Sequence, residues 1–221
     1  MIPTMTIPEI EPISLDRFAG LSSHEGPWND VLHESKSFVV LPTLGMLTEG
    51  WLLVVPKRWC LNFGYLTDSE QEDYESLKDY LFGFFRTCYT TPTIFEHGPA
   101  QRKSTVGCGV DHAHRHFVPL QFNLAEEAIK QIEGNWSSHA GCDTELAEFA
   151  LKREPYIHIE QDGKSWIAKG REFEGQALRR VIAKRTHQPD FWDWKQHYFE
   201  SRISQTALLF REWAGRNYRE E

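Results

Sequence analysis

Three histidines alternate in the segment His112-Ala113-His114-Arg115-His116. In an extended strand, residues i, i+2 and i+4 share one face, so the three imidazoles line up at spacings of about 6 to 7 Å. Val110 and Val118 continue that face, and Pro119 ends the run. An unperturbed imidazole gains and loses its proton near neutral pH and is also a common metal ligand. A row of three therefore points to a metal, an anion or proton-transfer chemistry. An imidazole acting as a nucleophile needs one nitrogen with a free lone pair and the other N–H held in place.

The elements that must position this row begin at Lys36. Ser37 to Leu41 and Trp51 to Val55 read as strands ended by Pro42 and Pro56, with a loose connection bracketed by Gly45 and Gly50. Thr67-Asp-Ser-Glu70 is a capping-box pattern. Behind it, Tyr74, Leu77, Leu81, Phe84, Phe85 and Cys88 fall at helical spacing, which predicts a helix from about Asp68 to Tyr89. Thr93-Ile-Phe95 begins a third strand running into Glu96-His97-Gly98-Pro99, and a polar loop follows. Gly107-Cys108-Gly109 leads into a fourth strand, Val110 to Leu120.

Beyond Leu120 the pattern is mixed. Asn123 caps a short helix, Gly134 to Gly141 reads as a loop, and Asp143 to Arg153 as a helix. Tyr156 to Glu160 and Ser165 to Ala168 flank an Asp-Gly hairpin signal. Helices near Glu174 to Lys184 and Phe199 to Arg216 complete the chain. The organisation expected is an irregular segment at 1–35, a core at 36–122, and an extension at 123–221 packed on the core.

The 221 residues, with eight Trp and fourteen Phe, suffice for a sizeable hydrophobic core. A net charge of −8 weighs against a nucleic-acid polymer as partner but leaves room for a small phosphate ligand bound by local positive groups. The four cysteines form no Cys-x-x-Cys pair and no zinc spacing. The first residues lack the basic and apolar regions of a secretory signal, and no apolar run has membrane-spanning length. Cytoplasmic residence without a membrane partner is the expectation.

His-x-His-x-His followed by apolar residues resembles the motif of the histidine-triad, or HIT, superfamily. The segments upstream agree. Ser37 to Thr43 and Gly50 to Lys57 resemble the first two strands of that family and the Pro-Gly-His turn between them. Phe95 to Pro99 resembles its Asn/Gln-x-Gly segment. The resemblance covers Lys36 to Leu120. It implies an α+β fold, a HIT-like antiparallel sheet with helices packed on one side, here with a mixed α/β extension. It also implies that His114 attacks the α-phosphorus of a nucleotide, forming a nucleotidyl-histidine that water then cleaves. His112 and His116 would bond phosphoryl oxygens and the leaving group. Substrates implied are dinucleoside polyphosphates or nucleoside phosphoramidates, with no cofactor required. The complete triad favours hydrolysis over transfer. Relatives pair through their sheets and helices, which implies a homodimer unless the extension covers that surface.

Several positions depart from the family pattern. Thr43 stands where an Asp or Asn commonly holds the ribose, and Glu96 takes the place of an amide. His97 beside it is a second donor, and Gly107, Cys108 and Gly109 would have to offer backbone N–H groups to phosphate. Trp51 replaces the His of Pro-Gly-His, and Arg115 points to the face opposite the triad, into the extension or a dimer contact. Phe38, Val40 and Leu53 are candidate walls of a base pocket, with core packing as the alternative for each. Arg179-Arg180 either reaches a distal phosphate or lines a solvated helix face. Two competing readings stay open. One is a hydrolase that uses a divalent metal held by the His cluster with Asp111 or Glu96. The other is a nucleotide-binding module without catalysis.

Overall fold

A computed structural model describes residues 18, 26–104, 110–139, 143–170 and 173–217. Eight strands form one antiparallel sheet: β1 (His33–Glu34), β2 (Phe38–Pro42), β3 (Leu52–Pro56), β4 (Thr93–Gly98), β5 (Arg115–Val118), β6 (Asn135–His139), β7 (Tyr156–Gln161) and β8 (Lys164–Lys169). Their order across the sheet is β1-β2-β3-β5-β4-β7-β8-β6. Five helices accompany them: α1 (Asp68–Cys88), α2 (Leu124–Gln131), α3 (Asp143–Lys152), α4 (Ala177–Arg185) and α5 (Glu200–Asn217). The α+β class expected from the sequence is the class observed.

The order places β5 between β3 and β4, and β7 continues the sheet directly from β4. The extension therefore does more than pack on the core, because its strands lengthen the same sheet. β6 lies where a loop was expected. Its residues Asn-Trp-Ser-Ser-His carry no apolar alternation, being half or fully exposed at the edge. Pairing of its backbone with β8 makes the strand, and hydrophobic periodicity reports nothing of such pairing.

The two faces of the sheet are covered differently. On one face Phe38, Val40, Leu52, Val54, Ile94 and Phe117 pack beneath the apolar stripe of α1, with Phe210 and Trp213 of α5 joining that cluster. On the other face Phe95, Ile157, Ile159 and Ala168 pack against Leu124 of α2 and Leu178 and Ile182 of α4. The core helix α1 thus takes one side, and the extension brings α2 and α4 to the other. Over β2 and β3 the second face carries no helix among the described residues. There Val39, Leu41, Leu53 and Val55 are covered by Phe18.

α1 starts as the sequence says. Thr67 accepts from the Glu70 N–H while the Glu70 side chain accepts from the Thr67 N–H. Arg58 grips the same carboxylate with two bonds of 2.8 and 2.6 Å, a fork that suits a planar guanidinium. The Arg58 hydrogen bond, followed by those from Thr67, holds the Glu70 pKa down at about 2 against the opposing effect of burial. A depressed carboxyl stabilises the fold above its unfolded value and loses that contribution as pH falls through the folded one. The window here is from about pH 4.5 down to about 2. Urea midpoints measured across that window should fall more steeply for the wild type than for Glu70→Gln, and equal slopes would contradict the assignment.

Candidate active site

The histidine row stands at the centre of the sheet, but only its end is regular strand. β5 covers Arg115–Val118, shorter than the Val110 to Leu120 strand expected. The reason is local. The Ala113 N–H donates to the Cys60 carbonyl at 2.8 Å instead of continuing the ladder. The alternation survives this departure. Ala113 joins the α1-side cluster, while the rings of His114 and His116 lie 5.0 Å apart and both His112 and His114 meet Phe18 at 5.6 Å.

Each ring is held by a partner of known polarity. A carbonyl only accepts, so the His114 ring donates its Nδ1–H to the His112 carbonyl at 2.7 Å. In the neutral ring this leaves the lone pair on Nε2. His112 donates its Nε2–H to the Pro56 carbonyl at 2.8 Å. That donor is occupied, so His112 serves by presenting its carbonyl to His114. His116 accepts at Nδ1 from the Trp51 indole N–H at 3.0 Å and stacks on Phe95 at 4.3 Å with a 14° tilt.

The register explains the placement. Leu53 and Phe95 both sit directly opposite His116, and opposed residues of antiparallel strands share a face. His97, two residues beyond Phe95 on β4, falls on this side too. Its Nε2 accepts from the Leu178 N–H at the start of α4, 3.4 Å away. Burial pushes the His97 pKa down to about 3, with His114 and Arg179 adding to the effect. His97 is thus a neutral neighbour of the triad, packed against the extension.

Glu96 turns the other way. It forms a buried pair with Arg115 at 3.5 Å and accepts the Phe63 N–H at 2.8 Å. Burial raises its pKa, and the Arg115 charge, the Phe63 N–H and the Tyr156 hydroxyl oppose that rise. Arg115 lies between the rings of Phe63 and Tyr74, 4.4 and 4.7 Å from their centroids. Arg115 is on the face opposite the triad, as expected, and it ends buried in the core beneath α1. Glu96 lies on the face opposite the histidine rings, and the His114 charge is among the influences that oppose the rise of its pKa.

The remaining expected residues divide. Thr43 continues the triad-side face at the end of β2, and its hydroxyl donates to the Leu44 carbonyl. Leu53 lies on the triad side. Phe38 and Val40 lie on the α1 side, where Phe38 stacks on Phe63, so neither walls a pocket near the histidines. Strand parity decides this, because Phe38 is offset by one position from Val39 and Leu41. Gly107, Cys108 and Gly109 lie outside the described residues.

Arg179 is buried and donates to the carbonyls of Trp192 and Gly45, neither reaching a phosphate nor facing solvent. Gly45 has φ +70°, and a Cβ there would stand 2.6 Å from the Trp194 Cβ, so the approach requires glycine. Arg180 lies over Trp192, 3.3 Å from the ring centroid. Asp111 accepts the Lys103 N–H and Glu96 faces Arg115, so neither supplementary ligand of the metal reading joins the histidines. Among the described residues no group of three or more His, Cys, Asp or Glu is arranged to hold a metal ion. No helix among them is long and apolar enough to cross a membrane.

Three parts of the site escaped sequence reasoning. Trp51 was legible only as a departure, although its parity with Leu53 places it on the triad face. Phe18 sits in a Pro-rich stretch with no periodicity to mark it. Leu178 contributes a backbone N–H, which side-chain identity does not signal.

No protein-family model and no curated protein matches the chain. Among solved structures it is similar to a HIT-like protein involved in cell-cycle regulation from Bartonella henselae, at 17% identity over 56% of this chain and 82% of that one, with a TM-score of 0.32. It is also similar to yeast Ap4A phosphorylase Apa2 in complex with AMP, at 10% identity over 76% of this chain and 75% of that one, with a TM-score of 0.38. At these values the functional reading rests on the side chains themselves.

His97 supplies a test of the site's burial. A histidine with a lowered pKa stabilises the fold fully above its unfolded value and costs stability as pH falls toward its folded one. Between about pH 6.5 and 3 the loss approaches 1.4 kcal/mol per pH unit at most. His97→Gln should flatten the acid side of the stability curve. A curve as steep as the wild type's would show that His97 titrates freely.

Proposed function

We propose that this protein is a nucleotide hydrolase or nucleotidyl transferase of the histidine-triad type, in which His114 Nε2 attacks the α-phosphorus of a nucleoside phosphate derivative. The observation that carries the reading is the 2.7 Å bond from His114 Nδ1–H to the His112 carbonyl, with the His116 ring 5.0 Å away. It presents a nucleophilic nitrogen and puts a donor ring beside it. In the first step the Nε2–P bond forms as the bond to the leaving group breaks. In the second, water attacks the same phosphorus and releases the nucleotide, so one difficult displacement is divided in two. Dinucleoside polyphosphates and nucleoside phosphoramidates are the substrate classes proposed, with hydrolysis the outcome that a complete triad favours.

The base is proposed to lie on the apolar floor of Val39, Leu41, Leu53 and Val55, which adjoins the triad on its open side. Phe18 now covers that floor and touches His112 and His114. Entry of a nucleoside must therefore displace Phe18. A monomer is the assembly proposed. In support, this chain covers two surfaces of its own core: α5 packs with α1, and β7 occupies the edge of β4.

Wild type incubated with adenosine 5′-phosphoramidate and with a dinucleoside polyphosphate should release nucleotide in the presence of chelator. His114→Ala should lose at least about 10³-fold in kcat, the scale seen when a nucleophile is removed. Release abolished by chelator would move the reading to metal-dependent hydrolysis, and binding without turnover would move it to a non-catalytic module. Phe18→Ala should tighten AMP binding about tenfold by calorimetry, since about 1.4 kcal/mol of competing aromatic burial is removed. Weaker binding would mean that Phe18 is a wall of the base pocket.

A further inference from the structure

We infer that Trp51 is a positioning residue that fixes the tautomer of His116, holding its ring proton on Nε2 toward the reacting phosphate. The inference rests on the histidine-triad reading above and concerns the position where this chain replaces the His of that family's turn.

The chemistry follows from the indole. Trp51 carries one N–H donor and no acceptor, and it is fully buried. Its N–H lies 3.0 Å from His116 Nδ1, with the two rings edge to face at 5.7 Å and 71°. Nδ1 must therefore contribute its lone pair, and the ring proton resides on Nε2. A proton on Nδ1 would oppose the indole N–H across 3.0 Å with no acceptor between them. A histidine in place of Trp51 could serve as donor or acceptor and would leave the choice open.

The indole is itself held. Phe95 stands edge-on to Trp51 at 5.8 Å while stacking on His116, so one ring fixes both partners. The Arg179 guanidinium lies 4.7 Å from the Trp51 ring centroid. A cation over the ring draws density from the indole and strengthens its N–H as a donor. Arg179 is pinned by the Gly45 and Trp192 carbonyls and comes from α4 of the extension. The extension thereby acts on the catalytic histidine through one aromatic ring.

The groups around His116 are consistent with a neutral donor. His114 comes from its own segment, Trp51 and Leu53 from β3, and Phe95 and His97 from β4. His97 is held neutral by burial. Glu96 lies across the sheet against Arg115. His116 thus offers its Nε2–H as a hydrogen bond to a phosphoryl oxygen.

The test combines spectroscopy with kinetics. Long-range 1H–15N correlation spectra of histidine-labelled protein should show His116 as the Nε2–H tautomer in the wild type. Trp51→Phe should shift it toward Nδ1–H or a mixture. With adenosine 5′-phosphoramidate as substrate, Trp51→Phe should lower kcat about tenfold or more with little change in KM, the scale of losing a partner that orients a reactive histidine. In a His116→Ala background the same change should cost less than about twofold. An unchanged His116 tautomer in Trp51→Phe, or fully additive kinetic losses, would overturn the inference. If Trp51→Phe fails to fold, benzothienylalanine at position 51 keeps the ring shape and removes only the N–H, and the same spectra decide. A Trp51-dependent tautomer in a wild type that turns over no nucleotide would refute the hydrolase reading and leave the tautomer lock standing.

Discussion

Everything around the histidines depends on β5, four residues held between β3 and β4. Pairing on both sides is what places Leu53 and Phe95 opposite His116. A slip of one residue would send His116 into the α1 core and bring Arg115 to the open face, because side chains alternate with a period of two. The slip is resisted from both faces. Arg115 has its own buried site between Phe63 and Tyr74, paired with Glu96. His116 has the Trp51 donor and the Phe95 ring. The register is therefore set by polar partners as well as by apolar burial.

The sheet separates two kinds of polar chemistry. One buried ion pair, Glu96 with Arg115, lies beneath α1. The triad side carries imidazoles whose ring protons are assigned by carbonyls and an indole. This division suits an anionic substrate, since a carboxylate on the reacting side would repel phosphate. It also explains why an acidic chain can be read as a phosphate-handling protein. The net charge of −8 belongs to the whole chain, whereas the triad side carries imidazoles, with the Arg179 cation behind Trp51.

Much of the fold was legible in sequence. The Thr67–Glu70 cap, the α1 stripe, the hairpin around Asp162-Gly163 and the strands at Phe38 and Leu52 follow from local chemistry and periodicity. The triad's common face was legible too, since alternation survives even where the strand does not. What could not be read was set by tertiary context. β6 is made by backbone pairing with β8. The side on which Glu96 falls depends on the parity of β4, whose start at Thr93 was seen but whose register against β5 was not. Arg179 reads as a surface residue until Gly45 and Trp192 are brought to it by the fold.

The central claim, attack by His114 with a nucleotidyl-histidine between substrate and product, is tested most directly by stereochemistry at phosphorus. A substrate made chiral at the α-phosphorus with sulfur and oxygen isotopes would be hydrolysed and the configuration of the product determined. Two successive in-line displacements each invert the centre, so the account predicts net retention. Net inversion would mean that water attacks directly, and His114 would not be the nucleophile.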